Sequence, residues 1–193
     1  SASLLLSSCG TDPHRIDPNG TEGLTTVYDI NDKDWQMAAE SCINKMLNSG
    51  MLDRNDGRRT ILAITGITNK TSSHVDTAIL TNKIREAVLQ SGKAMTTTAW
   101  TGTGGSEDPA TRNVRNLAND PLFDHRTVKE QGTAIAPDMS IAGEITQVMA
   151  QQGRYDESTF YFHITLTDLK TGLAVWEGQS EVQKQGKRSV FGN

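Results

Sequence analysis

The sequence predicts an α/β fold: a mixed β-sheet of about four to five strands, flanked by helices and ending in a C-terminal antiparallel hairpin. Three observations carry this expectation. Two segments in the first half repeat apolar residues at helical spacing, and the stretch between them, T-I-L-A-I-T-G-I-T at Thr60 to Thr68, is β-branched and almost continuously apolar at its start. The last third changes character and alternates apolar with polar residues at a period of two, as in Phe160, Phe162, Ile164 and Leu166 against Tyr161, His163, Thr165 and Thr167.

The elements follow in order. Asn31 or Asp32 is a suitable N-cap for a helix running to about Asn48, with Trp35, Ala38, Ala39, Cys42, Met46 and Leu47 on one face and Gly50 as its terminator. The strand Thr60 to Thr68 should be central, and Asn69 to His74 should be a polar loop. A second helix is expected from Asp76 to Gln90, with Ile79, Leu80, Ile84, Ala87, Val88 and Leu89 recurring. Ala94 to Ala99 reads as a strand. Asp108-Pro109 has the form of an N-cap followed by a first-turn proline and opens a short helix, Thr111 to Leu117, with another from His125 to Gln131. Three β-segments close the chain: Met139 to Ala150, Ser158 to Leu169 and Leu173 to Gln183, the last two joined by the hairpin loop Asp168 to Gly172.

Composition narrows the function. With 193 residues and 35% hydrophobic content, the chain suits one compact domain. Its net charge of -4 has no basic block to follow a phosphate backbone, which argues against nucleic acid as a partner. The longest early apolar run, Leu4 to Leu6, is far below the roughly 18 residues of a spanning helix. The glycine-rich T-G-T-G-G at Thr101 to Gly105 lacks the lysine and spacing of a phosphate-binding loop. His14, His74, His125 and His163 are isolated from one another, so no metal site or cofactor is expected, and no nucleophile motif points to an enzyme.

The first ten residues, S-A-S-L-L-L-S-S-C-G, resemble the lipobox of bacterial lipoproteins, carried by Leu6-Ser7-Ser8-Cys9. The resemblance implies a diacylglycerol thioether on Cys9, a membrane anchor and, with Gly10 next, sorting to the periplasmic face of the outer membrane. Residues 1–9 are then a partial lipoprotein signal, 10–30 a flexible tether with Pro13, Pro18, Gly20 and Gly23, and 31–193 a single periplasmic domain. Such a tether reaches no more than about 70 Å.

The runs I-T-G-I-T-N-K-T at Ile64 to Thr71, K-I-R-E-A-V-L-Q-S-G-K at Lys83 to Lys93, and F-H-I-T-L-T-D-L-K-T-G-L-A-V-W-E-G at Phe162 to Gly178 together resemble the LpoB family. These are outer-membrane lipoproteins that activate a class A penicillin-binding protein. The resemblance implies a domain like the N-terminal domain of TolB, no catalytic residues, and direct docking on a bifunctional peptidoglycan synthase. For the docking residues, the end of the central strand suggests Asn69, Lys70 and Thr71, and the strand face opposite the phenylalanines suggests Tyr161 and His163. An envelope lipoprotein of the CsgG and TolB type, with a structural or secretion role, is the alternative.

Overall fold

A computed structural model describes residues 31–100 and 107–187, together with Arg15, Asp17 and Val27. Cys9, most of the tether and the glycine-rich loop lie outside the described residues.

The first helix, α1, spans Asp32–Leu47, and its start is fixed by a reciprocal cap. The Asn31 side chain accepts from the Asp34 N–H at 3.0 Å, and the Asp34 carboxylate accepts from the Asn31 N–H at 3.1 Å. Strand β1 follows at Thr60–Lys70, and helix α2 at Thr77–Gln90 begins where Asp76 accepts from the N–H groups of Ala78 and Ile79. The remaining strands are β2 (Ala94–Thr96), β3 (Met139–Gln152), β4 (Tyr155–Asp168) and β5 (Ala174–Lys187). They form one sheet in the order β2-β1-β3-β4-β5. β1 pairs parallel with β2 and β3, and β3, β4 and β5 pair antiparallel. The expected α/β fold with a mixed sheet and a terminal hairpin is the one observed.

Both long helices lie on one face. α1 packs on β4 and β5, α2 packs on β1 and β2, and the two touch each other. Their apolar stripes meet Leu62, Ile64, Ile141, Ile145, Phe160, Phe162, Ile164 and Leu166 in one core. Trp35 of α1 meets Phe160 edge to face, with centroids 5.9 Å apart and planes at 79°. A bulge between Ile64 and Gly66 inserts Thr65 into β1. Gly66 takes φ +109° there, which a residue with a Cβ would resist.

Several boundaries differ from expectation, each for a local reason. Asn69 and Lys70 are the end of β1, since its ladder with β3 continues to Thr146. β2 stops at Thr96 and not at Ala99, because the chain turns away after a last bond from the Thr97 N–H to Leu62 O. Ile79 and Leu89 of α2 are 50% and 47% exposed; the stripe that packs is Leu80, Thr81, Ile84 and Val88. The helix expected at Thr111 to Leu117 is a four-residue α-helix, α3 (Ala110–Asn113), that tightens into a 3-10 helix over Val114–Asn119. Asp108, one residue before the Pro109 N-cap, accepts from the Ala110 N–H. No helix forms from His125 to Gln131. There Asp124 accepts from the Arg126 N–H and its carbonyl closes a turn with Thr127, and no apolar stripe holds a helix against the core.

The last three strands are longer than their alternation indicated. β3 and β4 run to Gln152 and from Tyr155, leaving Gly153 and Arg154 as a two-residue turn. Gly153 has φ +59°, as the first position of a tight II′ hairpin turn requires.

Candidate functional site

The helices cover one face of the sheet, so the side chains that point the other way are candidates for recognition. Across β1, β3, β4 and β5 the register places two neighbouring rows on that open face. One is Lys70, Thr146, Tyr161 and Glu181; the next is Thr68, Glu144, His163 and Gln179. Side chains opposite one another on adjacent strands lie about 5 Å apart.

Charge links the rows. The Lys70 ammonium of one row donates to Glu144 Oε2 of the next at 2.5 Å, and Glu177, opposite Thr165 in the row beyond, places its Oε2 3.9 Å from His163 Nε2. The Lys70 hydrogen bond, reinforced by its charge, holds the Glu144 carboxyl below the usual carboxylate range. Both partners of the Lys70–Glu144 pair are substantially solvated, which makes the pair a weak contributor to stability and leaves its charges available. Tyr161 and His163 are half-buried between these side chains.

The structure separates the five residues singled out in the sequence. Lys70, Tyr161 and His163 share the open face. Asn69 and Thr71 are engaged locally instead. Asn69 Nδ2 donates to Ser73 O at 2.8 Å, and its Oδ1 accepts from the Thr71 N–H at 2.9 Å and the Thr71 hydroxyl at 2.8 Å. The next residue is also fixed, because Gln147 Oε1 accepts from the Ser72 N–H and hydroxyl. These bonds close the connection from β1 to α2 onto β3 and explain why Asn and Thr occupy the strand end. Glu144, Thr146, Glu177 and Glu181 belong to the open face and were missed; only the pairing register of β3 and β5 brings them beside Tyr161 and His163.

No set of three His, Cys, Asp or Glu side chains converges on a common point among the described residues, and no described helix is long and apolar enough to cross a membrane. Cys42 is fully buried in α1, and desolvation raises its thiol from 9.0 to about 11. In a Cys9→Ser chain, Cys42 should therefore react with a disulfide reagent at pH 8 at least about 100-fold more slowly than in denaturant. Equal rates would contradict the packing of α1.

Residues 34–182 match the family model described as peptidoglycan-synthase activator LpoB. Among solved structures, the LpoB C-terminal domain from Salmonella enterica is 14% identical, with 78% of this chain and 99% of that one covered at a TM-score of 0.45. The NMR structure of Escherichia coli LpoB is 18% identical, covering 94% of this chain and 84% of that one at 0.43. Lipoprotein GNA1162 from Neisseria meningitidis is 12% identical, covering 67% and 86% at 0.37. No curated protein sequence matched the chain.

Proposed function

Because the chain belongs to the LpoB family of peptidoglycan-synthase activators, we propose that it acts by docking directly on a class A penicillin-binding protein, held at the outer membrane by a lipid on Cys9. The observation that carries this reading is the family match across residues 34–182. The open face around Lys70, Tyr161 and His163 supplies what such docking needs. It is broad, polar and mixed in charge, with one aromatic anchor, and neither long helix covers it. A surface of this kind gives orientation through complementary charges and affinity through the aromatic.

The experiment is binding and glycan polymerisation with the class A synthases of the source organism. Lys70→Glu reverses the charge beside Glu144, and Tyr161→Ala removes the anchor. Each is expected to weaken synthase binding about tenfold while changing stability by less than about 1 kcal/mol for the charge reversal. A domain that neither binds a synthase nor changes its rate would overturn the activator reading. Full affinity in both variants would move the interface elsewhere. The anchor is tested separately, since Cys9→Ser should release the protein from membranes.

A further inference from the structure

The open face ends in a second feature, distinct in position from Lys70 and His163. Where β3, β4 and β5 run on to the Gly153 turn, a depression of about 580 Å³ is lined by Ala150, Gln151, Gln152, Tyr155, Glu157 and Gln185. Its volume lies within the range of about 300–1,000 Å³ typical of small-ligand sites. The register explains how the lining converges. Gln152 stands opposite Tyr155, and Glu157 stands between Ala150 on β3 and Gln185 on β5.

The chemistry of this lining is specific. The amides of Gln152 and Gln185, on the same face of the sheet, offer donors and acceptors. The carboxylate of Glu157 is oriented by two amides, accepting from Gln183 Nε2 at 2.8 Å and from Gln185 Nε2 at 3.2 Å. Tyr155 is 50% exposed and presents an aromatic ring at the rim. No lysine or arginine lines the depression itself; Lys187 stands beside it, opposite Tyr155, and the Glu157 carboxylate inside it disfavours an anion. Polar and apolar atoms share the lining about equally, and burying its polar half under an apolar segment would strip those atoms of water. A neutral ligand carrying rows of hydroxyl and amide groups on one side and C–H groups on the other satisfies both halves of the lining.

We infer that this depression is a carbohydrate site that holds a short stretch of neutral glycan, with Tyr155 against the C–H face of a sugar ring and Gln152, Glu157 and Gln185 on its hydroxyl or acetamido groups. The choice of an N-acetylated glycan as ligand rests on the proposed function; the presence of a sugar site does not.

The test is an NMR titration of the full chain, carried as Cys9→Ser, with chitotetraose, a soluble β-1,4-linked N-acetylglucosamine tetramer. Saturable shifts are expected at the amides of Gln151, Gln152, Tyr155, Glu157 and Gln185. Tyr155→Ala and Gln185→Ala should each weaken binding about tenfold, with unchanged melting temperatures because both side chains are at the surface. Lys70→Glu should bind the sugar normally. Absence of saturable shifts, shifts confined to another surface, or unaltered affinity in both folded variants would overturn the site. Synthase activation measured on the same samples separates the two readings. Activation without sugar binding removes this site alone, and sugar binding without activation removes the activator reading alone.

Discussion

Replacing Phe160 with alanine should destabilise the domain by about 3 kcal/mol, near the lower end of the range of about 3–5 kcal/mol for such truncations. Phe160 is 1% exposed and Trp35 is 2% exposed, and their edge-to-face contact joins the first turn of α1 to the centre of β4. Truncation removes that contact and leaves a void beneath the helix. The void would not be dry. Trp35 Nε1, Ser158 Oγ and Ser180 Oγ are buried without a hydrogen-bond partner among the described residues. Ser158 precedes Phe160 on the same face of β4, and Ser180 stands opposite Phe162 on β5. Water entering the space can hydrogen-bond to these groups, which recovers part of the loss. For a domain of this size a loss of about 3 kcal/mol lowers the melting temperature by about 6–12 °C. A shift below about 2 °C would mean that α1 is not held by this contact.

The elements around that contact were legible for a physical reason. α1 and α2 each carry a side-chain cap and an apolar stripe, and β4 alternates cleanly because one side meets the helices and the other meets solvent. β5 was far less legible. Its helix-facing positions are Trp176, Gly178, Ser180, Val182, Lys184 and Gly186, which show no run of large apolar residues. The small residues have tertiary causes: the Trp176 ring lies over Gly178, and Val27 fills the space above Gly186. A lone Trp followed by Gly and Ser therefore reads as weak alternation, although a helix covers the strand. The open face was half legible for the same reason. Tyr161 and His163 could be assigned to it from β4 alone, whereas Glu144 and Glu177 join them through pairing that no local pattern encodes. The stretch from His125 to Gln131 erred the other way, since suitable helix formers without a buried stripe settle into turns.

Lys184 is the least legible of these positions and supports the second large prediction. A lysine near the end of a polar strand reads as a solvated tail residue, yet its ammonium meets Asp34 in the first turn of α1, with only 9% and 13% of the two side chains exposed. Asp34 also accepts from the Asn31 N–H in the reciprocal cap, so one carboxylate joins the helix start to the edge strand. Lys184→Met should cost about 3 kcal/mol, at the lower end of what stranding one member of a buried pair costs. The loss should hardly change with salt, because a pair this enclosed is poorly screened. Adding Asp34→Asn should restore a substantial part of it: asparagine still accepts from the Asn31 N–H, and the stranded charge is gone. Denaturant melts of the single and double variants measure the coupling directly. If the two losses simply add, the ion pair is not what fastens α1 to β5, and the anchorage falls to Trp35 and to Lys45, whose ammonium donates to Gln179 O at 3.2 Å. If they do not add, the outer edge of the sheet is clasped by the helix through charge at Asp34 and through a backbone cap at Lys45. That clasp holds the helix-facing side of β5, whose positions beyond Trp176 are mostly small or polar, while the opposite side of the sheet carries neither long helix.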